Sequence, residues 1–154
     1  MFKNQNISGV AGWLALLIVA LAILGPLQGY GSLINEFDRA IDQYPQLASN
    51  VPWQNYRKIS WAIFFVSMGL SVIAGYRLWK FHVPESVRFA IVVLWSAGPI
   101  CQVLYAVSAA VIFGNKAVGS AADQMIGGLI ASIFSAGIWT AYLKRSVRVK
   151  NTYK

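Results

Sequence analysis

Four long apolar stretches decide what this chain can fold into. They run Val10–Ile34, Ile59–Tyr76, Phe89–Phe113 and Gln124–Leu143, and no Asp, Glu, Lys, Arg or His falls in the middle of any of them. Each approaches or exceeds the ~20 residues a helix needs to cross a bilayer core. Hydrocarbon cannot satisfy an open backbone, so the spans form helices. The alternating pattern of a membrane β-barrel is absent. We therefore expect an all-α integral membrane four-helix bundle, one transmembrane domain over residues 1–154, with helices over 10–34, 59–79, 87–113 and 123–143.

Composition excludes the alternatives. At 12% charged and 57% hydrophobic residues, the chain has more apolar surface than one soluble core of this size buries. Disorder is excluded for the same reason, and a disulfide scaffold because Cys101 is the only cysteine.

The net charge of +8 reads as topology rather than nucleic-acid binding, because the basic residues are scattered among apolar spans. Nine of them (Lys3, Arg77, Lys80, Arg88, Lys144, Arg145, Arg148, Lys150, Lys154) fall on the side of the termini and four (Arg39, Arg57, Lys58, Lys116) on the other. The positive-inside rule then places both termini in the cytoplasm, where the basic side meets anionic lipid headgroups. Lys3 followed by Val10–Leu24 has the outline of a signal peptide, but we expect a retained first helix.

In the first outer loop, Leu33, Phe37, Ile41 and Tyr44 recur at helical spacing opposite Glu36, Asp38, Arg39 and Asp42. This predicts a short amphipathic helix over 33–44, capped by Asn35 and ended by Pro45, resting on lipid or on the bundle, or docking an outer partner. Trp53 and Tyr56 suit the outer interface.

Few positions offer chemistry. One His (His82, in an inner turn) and one distant Cys cannot build a zinc site, so no metal and no other cofactor is expected. Cys101, mid-span, reads as a packing group. Asp123 with Ser120 three residues earlier reads as an N-cap, or as a possible outer site for a cation or ligand. Ser96, Pro99 and Gln102 cluster near the middle of the third span. Pro99 removes a backbone hydrogen bond, and Gln102 bonds a neighbouring helix or lines a polar pocket. Small residues every four positions (Ser67, Ser71, Gly75; Ala106, Ala110, Gly114; Gly128, Ser132, Ala136) predict close helix packing. The tail, 144–154, is basic throughout. Trp139, Tyr142, Arg145, Arg148 and Lys150 form a candidate element for docking a partner or anchoring on lipid.

Gly12-Trp13-Leu14, Pro26-Leu27, Phe81-His82-Val83-Pro84, Ile138-Trp139-Thr140-Ala141-Tyr142-Leu143 and Ser146-Val147-Arg148-Val149-Lys150-Asn151-Thr152-Tyr153 together resemble the bacterial membrane family of unknown function numbered 2569. The resemblance covers essentially the whole chain. The terminal Trp-x-x-Tyr and Ser-x-Arg-Val-Lys-x-Thr-aromatic run is its specific part. Ala141 departs from the pattern, where a proline is expected, so the last helix should be straighter. The resemblance implies four helices and a bacterial inner-membrane address, and it implies no catalytic residue.

The absence of a catalytic constellation and the close-packing faces lead us to expect a non-catalytic accessory or scaffold protein that binds a membrane partner or a second copy of itself. A small oligomeric facilitator or pore, resting on Gln102, Pro99 and the intramembrane serines, is the first alternative. It requires a wet, polar-lined path. An enzyme acting on a lipid precursor is the second, with only His82, Glu85 and Asp123 on offer.

Overall fold

The computed structural model describes residues 8–154, the side chains of 115–122 excepted. Expectations resting on Lys3, Lys116 and the Ser120 side chain lie outside the described residues. The described chain is helical throughout and contains four helices long and apolar enough to cross a membrane. The first, α1, spans Trp13–Gln43 and the second, α2, Val51–Lys80. The third, α3, spans Pro84–Phe113. The fourth, α4, spans Asn115–Arg145, and a short α5 spans Val147–Thr152. At 1.5 Å per residue the 30 or 31 residues of each long helix reach ~45 Å, well beyond a ~30 Å hydrocarbon core.

The helices run antiparallel. Both ends of the described chain meet at one end of the bundle, where the Gly9 N–H donates to Thr152 Oγ1 at 2.8 Å. We call this the near end. It also holds the α2–α3 turn. The far end holds the 3-10 turn Pro45–Ser49 and Gly114, which joins α3 to α4 at φ 79°, a backbone conformation that favours glycine.

Three boundaries differ from the sequence expectation. The 33–44 segment is not a separate helix. It continues α1 without a break at Asn35, so the first transmembrane helix carries Glu36, Asp38 and Asp42 in its last turns. Its amphipathic character survives: Leu33 and Phe37 are buried, and Glu36, Asp38, Arg39 and Asp42 are exposed. Helix α2 starts eight residues before the expected position 59, where Asn50 Oδ1 accepts from the Trp53 N–H at 3.2 Å and Pro52 occupies the first turn. Helix α4 begins at Asn115, so Asp123 lies two turns inside it rather than at its cap.

Two of the long helices are interrupted by wide turns. Residues Ala20–Leu24 of α1 and Ser96–Ile100 of α3 are π-helical. Each is tied to a proline, Pro26 just beyond the first and Pro99 within the second. A proline lacks its N–H and crowds the carbonyl four residues back, and a wide turn accommodates both defects without breaking the helix.

Packing divides the bundle into two halves. The near half is solid: Leu14, Leu17, Leu21, Ala74, Leu78, Ala90, Val93 and Leu143 form one cluster. The expected small-residue contact appears here at Gly75, whose α-carbon lies against the backbone of Ile18 and Ala22. The tail closes this end. Helix α5, with Ser146 Oγ accepting from the Val149 N–H, buries Val149 and Tyr153 on the cluster. The Tyr153 hydroxyl donates to the Leu78 carbonyl, one of the last carbonyls of α2 that lack an intrahelical donor. The far half is held by an aromatic cluster. Phe37 meets the rings of Trp53, Tyr56 and Trp61 at 5.9, 6.4 and 6.2 Å, and Phe113 meets Trp53 and Tyr56. Trp53 and Tyr56 therefore sit inside this cluster, both buried, rather than facing an interface.

Candidate functional site

Beside the far-half cluster lies a cavity of about 620 Å³. It exists because the far part of α1, Gly25–Gln43, packs chiefly along α2 and stands away from α3 and α4. Helix α1 lines it with Gly25, Gln28, Gly29, Ser32, Leu33 and Glu36, a face repeating every three or four residues. Helix α2 contributes Tyr56, Phe64, Ser67, Met68 and Ser71. Helix α3 contributes Ala97, Cys101, Gln102 and Tyr105, and α4 contributes Gln124, Met125 and Gly128.

The lining is strongly polar for a site between transmembrane helices. Gln28, Ser32, Glu36, Gln102 and Gln124 are all exposed rather than packed, so the cavity is open rather than sealed. Among the described residues, Glu36 is the only charged one in the wall. The Tyr56 hydroxyl donates to its Oε1 at a long 3.4 Å. Among the described residues no basic side chain comes within 4.0 Å of this carboxylate. The nearby Arg57 guanidinium sits instead over the Phe37 ring, 5.4 Å from its centroid.

Gly29 permits the α1–α2 approach beside the cavity, since a β-carbon there would lie 2.8 Å from Phe64 Cε2. Gly128 faces Gln102, and a β-carbon there would meet Oε1 at 3.6 Å. Of the stripe Ser67, Ser71 and Gly75, only Gly75 makes the close helix contact; the two serines line the cavity, and the Ser67 hydroxyl donates to the Phe64 carbonyl at 2.9 Å.

The intramembrane group Ser96, Pro99 and Gln102 separates in space. Gln102 reaches the cavity, Pro99 is buried in its π turn, and Ser96 donates to the Val92 carbonyl at 2.8 Å beside a second, apolar groove. Asp123 is exposed and does not line the cavity. Trp139 and Tyr142 pack on the near-end cluster, with rings at 6.0 Å from each other and Trp139 at 6.4 Å from Trp13. Arg145 and Lys150 are exposed, and Arg148 is half-buried. His82 lies against the Tyr153 ring at 5.7 Å. The tail thus packs Val149 and Tyr153 on the chain's own core and turns Lys144, Arg145 and Lys150 outward.

Glu36, Tyr56, Gln28, Ser32, Tyr105 and Gln124 were not singled out as cavity residues from sequence. The signal available was the spacing of Gln28, Ser32 and Glu36 at i, i+4 and i+8, which becomes visible once Glu36 is read as part of the first helix. Among the described residues, no group of three or more His, Cys, Asp or Glu side chains is placed to hold a metal ion.

Neither a curated protein nor a solved structure matches the chain significantly. A family profile does match, over residues 7–154 and so over nearly the whole chain, and this membrane protein belongs to the family described as "Protein of unknown function (DUF2569)".

Proposed function

We propose that the protein binds a small amphipathic molecule inside the membrane and acts as a facilitator or presenter of that molecule, without catalysis of its own. One observation carries this: an open cavity of about 620 Å³ with a mixed polar and aromatic wall drawn from all four transmembrane helices. That volume falls within the ~300–1,000 Å³ typical of small-molecule sites, which combine apolar walls with a few convergent polar groups. Intramembrane polar groups are costly in lipid and mark binding sites or pathways.

This reading takes precedence over the accessory or scaffold role. That role drew on a basic tail free to dock, and Val149 and Tyr153 of the tail are engaged on the near-end core. A continuous pore has less support than a one-sided site, because fully buried Leu14, Leu17, Leu78 and Leu143 fill the near half. With the basic near end in the cytoplasm of a bacterial inner membrane, as the positive-inside rule suggests, the cavity opens toward the outer leaflet.

The test is purification in native nanodiscs followed by mass spectrometry of bound small molecules. We expect a bound molecule that is lost when Gly128→Trp fills the cavity, with the bundle still monodisperse. A stoichiometric protein partner, with no small molecule sensitive to Gly128→Trp, would return the scaffold reading to first place.

A further inference from the structure

We infer that the cavity selects a monovalent organic cation, an ammonium carried on an apolar body. This rests on the proposed binding role and names its ligand class. Among the described residues Glu36 is the sole charge in the wall, and none of their basic side chains pairs with it within 4.0 Å. The Arg57 guanidinium is held over the Phe37 ring. A carboxylate at the edge of a low-dielectric site is stabilised by a positive partner, and one carboxylate sets the preferred ligand charge at +1. The rest of the wall fits the same chemistry. The aromatic residues Tyr56, Phe64 and Tyr105 line it, as aromatic residues do in sites that take an alkylammonium, and the Gln102 carboxamide offers a neutral acceptor. A bare metal ion fits poorly, because it needs several converging oxygens and the space is many times the ~30 Å³ of a water molecule.

The chain carries its own reporter. Cys101 lies in the wall between the polar cavity and the second, apolar groove and is the only cysteine, so the wild-type protein is a single-thiol protein. Cys101 lies mid-span on α3, where permanently charged thiol reagents arrive only through water. In nanodiscs, the rates of Cys101 modification by the trimethylammonium and sulfonate forms of ethyl methanethiosulfonate are compared, each normalised to a free thiol in solution. A cleft of one sign raises the arrival rate of the opposite charge by ~10-fold or more. We expect a normalised cation-to-anion ratio of that size, its collapse to about one in Glu36→Gln, and its retention in Glu36→Asp. Slowing of the cationic reaction by phosphatidylethanolamine in phosphatidylglycerol discs, in wild type and not in Glu36→Gln, would name the ammonium of a zwitterionic lipid headgroup as the source. Slowing by benzyltrimethylammonium added to the water would name a soluble amine. A wild-type ratio near one overturns the cation assignment and leaves the open cavity standing. Failure of both reagents to react overturns the open cavity and the binding role with it.

Discussion

The contact at Gly75 allows the α1–α2 crossing to be tested against an internal control. A β-carbon at Gly75 would lie 3.0 Å from Ala22 Cβ, 3.2 Å from Ala22 N and 3.2 Å from the Ile18 carbonyl oxygen. Two of those three atoms are backbone and have no rotamer to change, so α1 itself must move by a few tenths of an ångström. Gly69, on the same helix, has nothing within 4 Å of a built β-carbon. Gly→Ala adds the same helix propensity at both positions, so the difference between the two variants isolates the steric term. Forcing a methyl into a well-packed site costs ~1–3 kcal/mol. We therefore expect Gly75→Ala to be less stable than Gly69→Ala by about that amount, with Gly69→Ala neutral or slightly stabilised. Reversible unfolding in mixed micelles of a mild detergent and dodecyl sulfate, followed by tryptophan fluorescence, measures both. Equal midpoints for the two variants would refute the close crossing, and with it the idea that Gly75 closes the near half while Ser67 and Ser71 face a cavity.

Removing the hydroxyl that holds the tail, in Tyr153→Phe, leaves the Leu78 carbonyl without its donor. It should cost ~0.5–1.5 kcal/mol and raise tryptic cleavage at Arg148 and Lys150 with the transmembrane fragment intact. The same phenol sets a pH limit: burial first, then nearby Tyr142, pushes its pKa from 10.0 up to about 12. Its protonated form is thus favoured in the docked tail, so the contribution is complete below pH 10, falls as the pH rises, and is gone beyond about 12. A tyrosinate absorbance titration checks this, since wild type should show one more late-ionising phenol than Tyr153→Phe. At the far end, Phe37 is 2% exposed and central to the aromatic cluster. Phe37→Ala should cost ~3–5 kcal/mol and red-shift tryptophan emission, while leaving the tail's protease resistance unchanged.

The fold was legible because lipid imposes a rule that needs only a run of apolar residues. The stretches starting at Ile59, Phe89 and Gln124 each lie within one of the four helices, the stretch starting at Val10 does so from Trp13 onward, and Pro99 announced the disturbed turn in α3. The ends were harder, since helices continue past the hydrocarbon where hydropathy no longer marks them. Asn50 with Pro52 was a readable start signal for α2, but it was outweighed by the polar character of the segment. The same blindness hid Glu36: read as a loop residue it had no role, and read as the last third of α1 it joins a polar face. Gln102 was recognisable as a polar group in lipid. That it shares a space with Glu36 and Gln124, rather than bonding a neighbouring helix, depends on the separation of α1 from α4, which no local pattern in either helix encodes.

The wide turn at Ala20–Leu24 carries a further consequence. A π turn is, in effect, one residue more than a regular α turn needs, and one residue is worth about 100° of rotation about the helix axis. Everything beyond it on α1 is therefore turned by that angle relative to the segment that packs on the near-end core. Excision of a single residue there would straighten the turn, swing Gln28, Ser32 and Glu36 away from α3 and α4, and present a different face of the helix to them. The near half of α1 answers to packing and the far half to the cavity. The inserted residue is the phase shift that lets one continuous helix serve both.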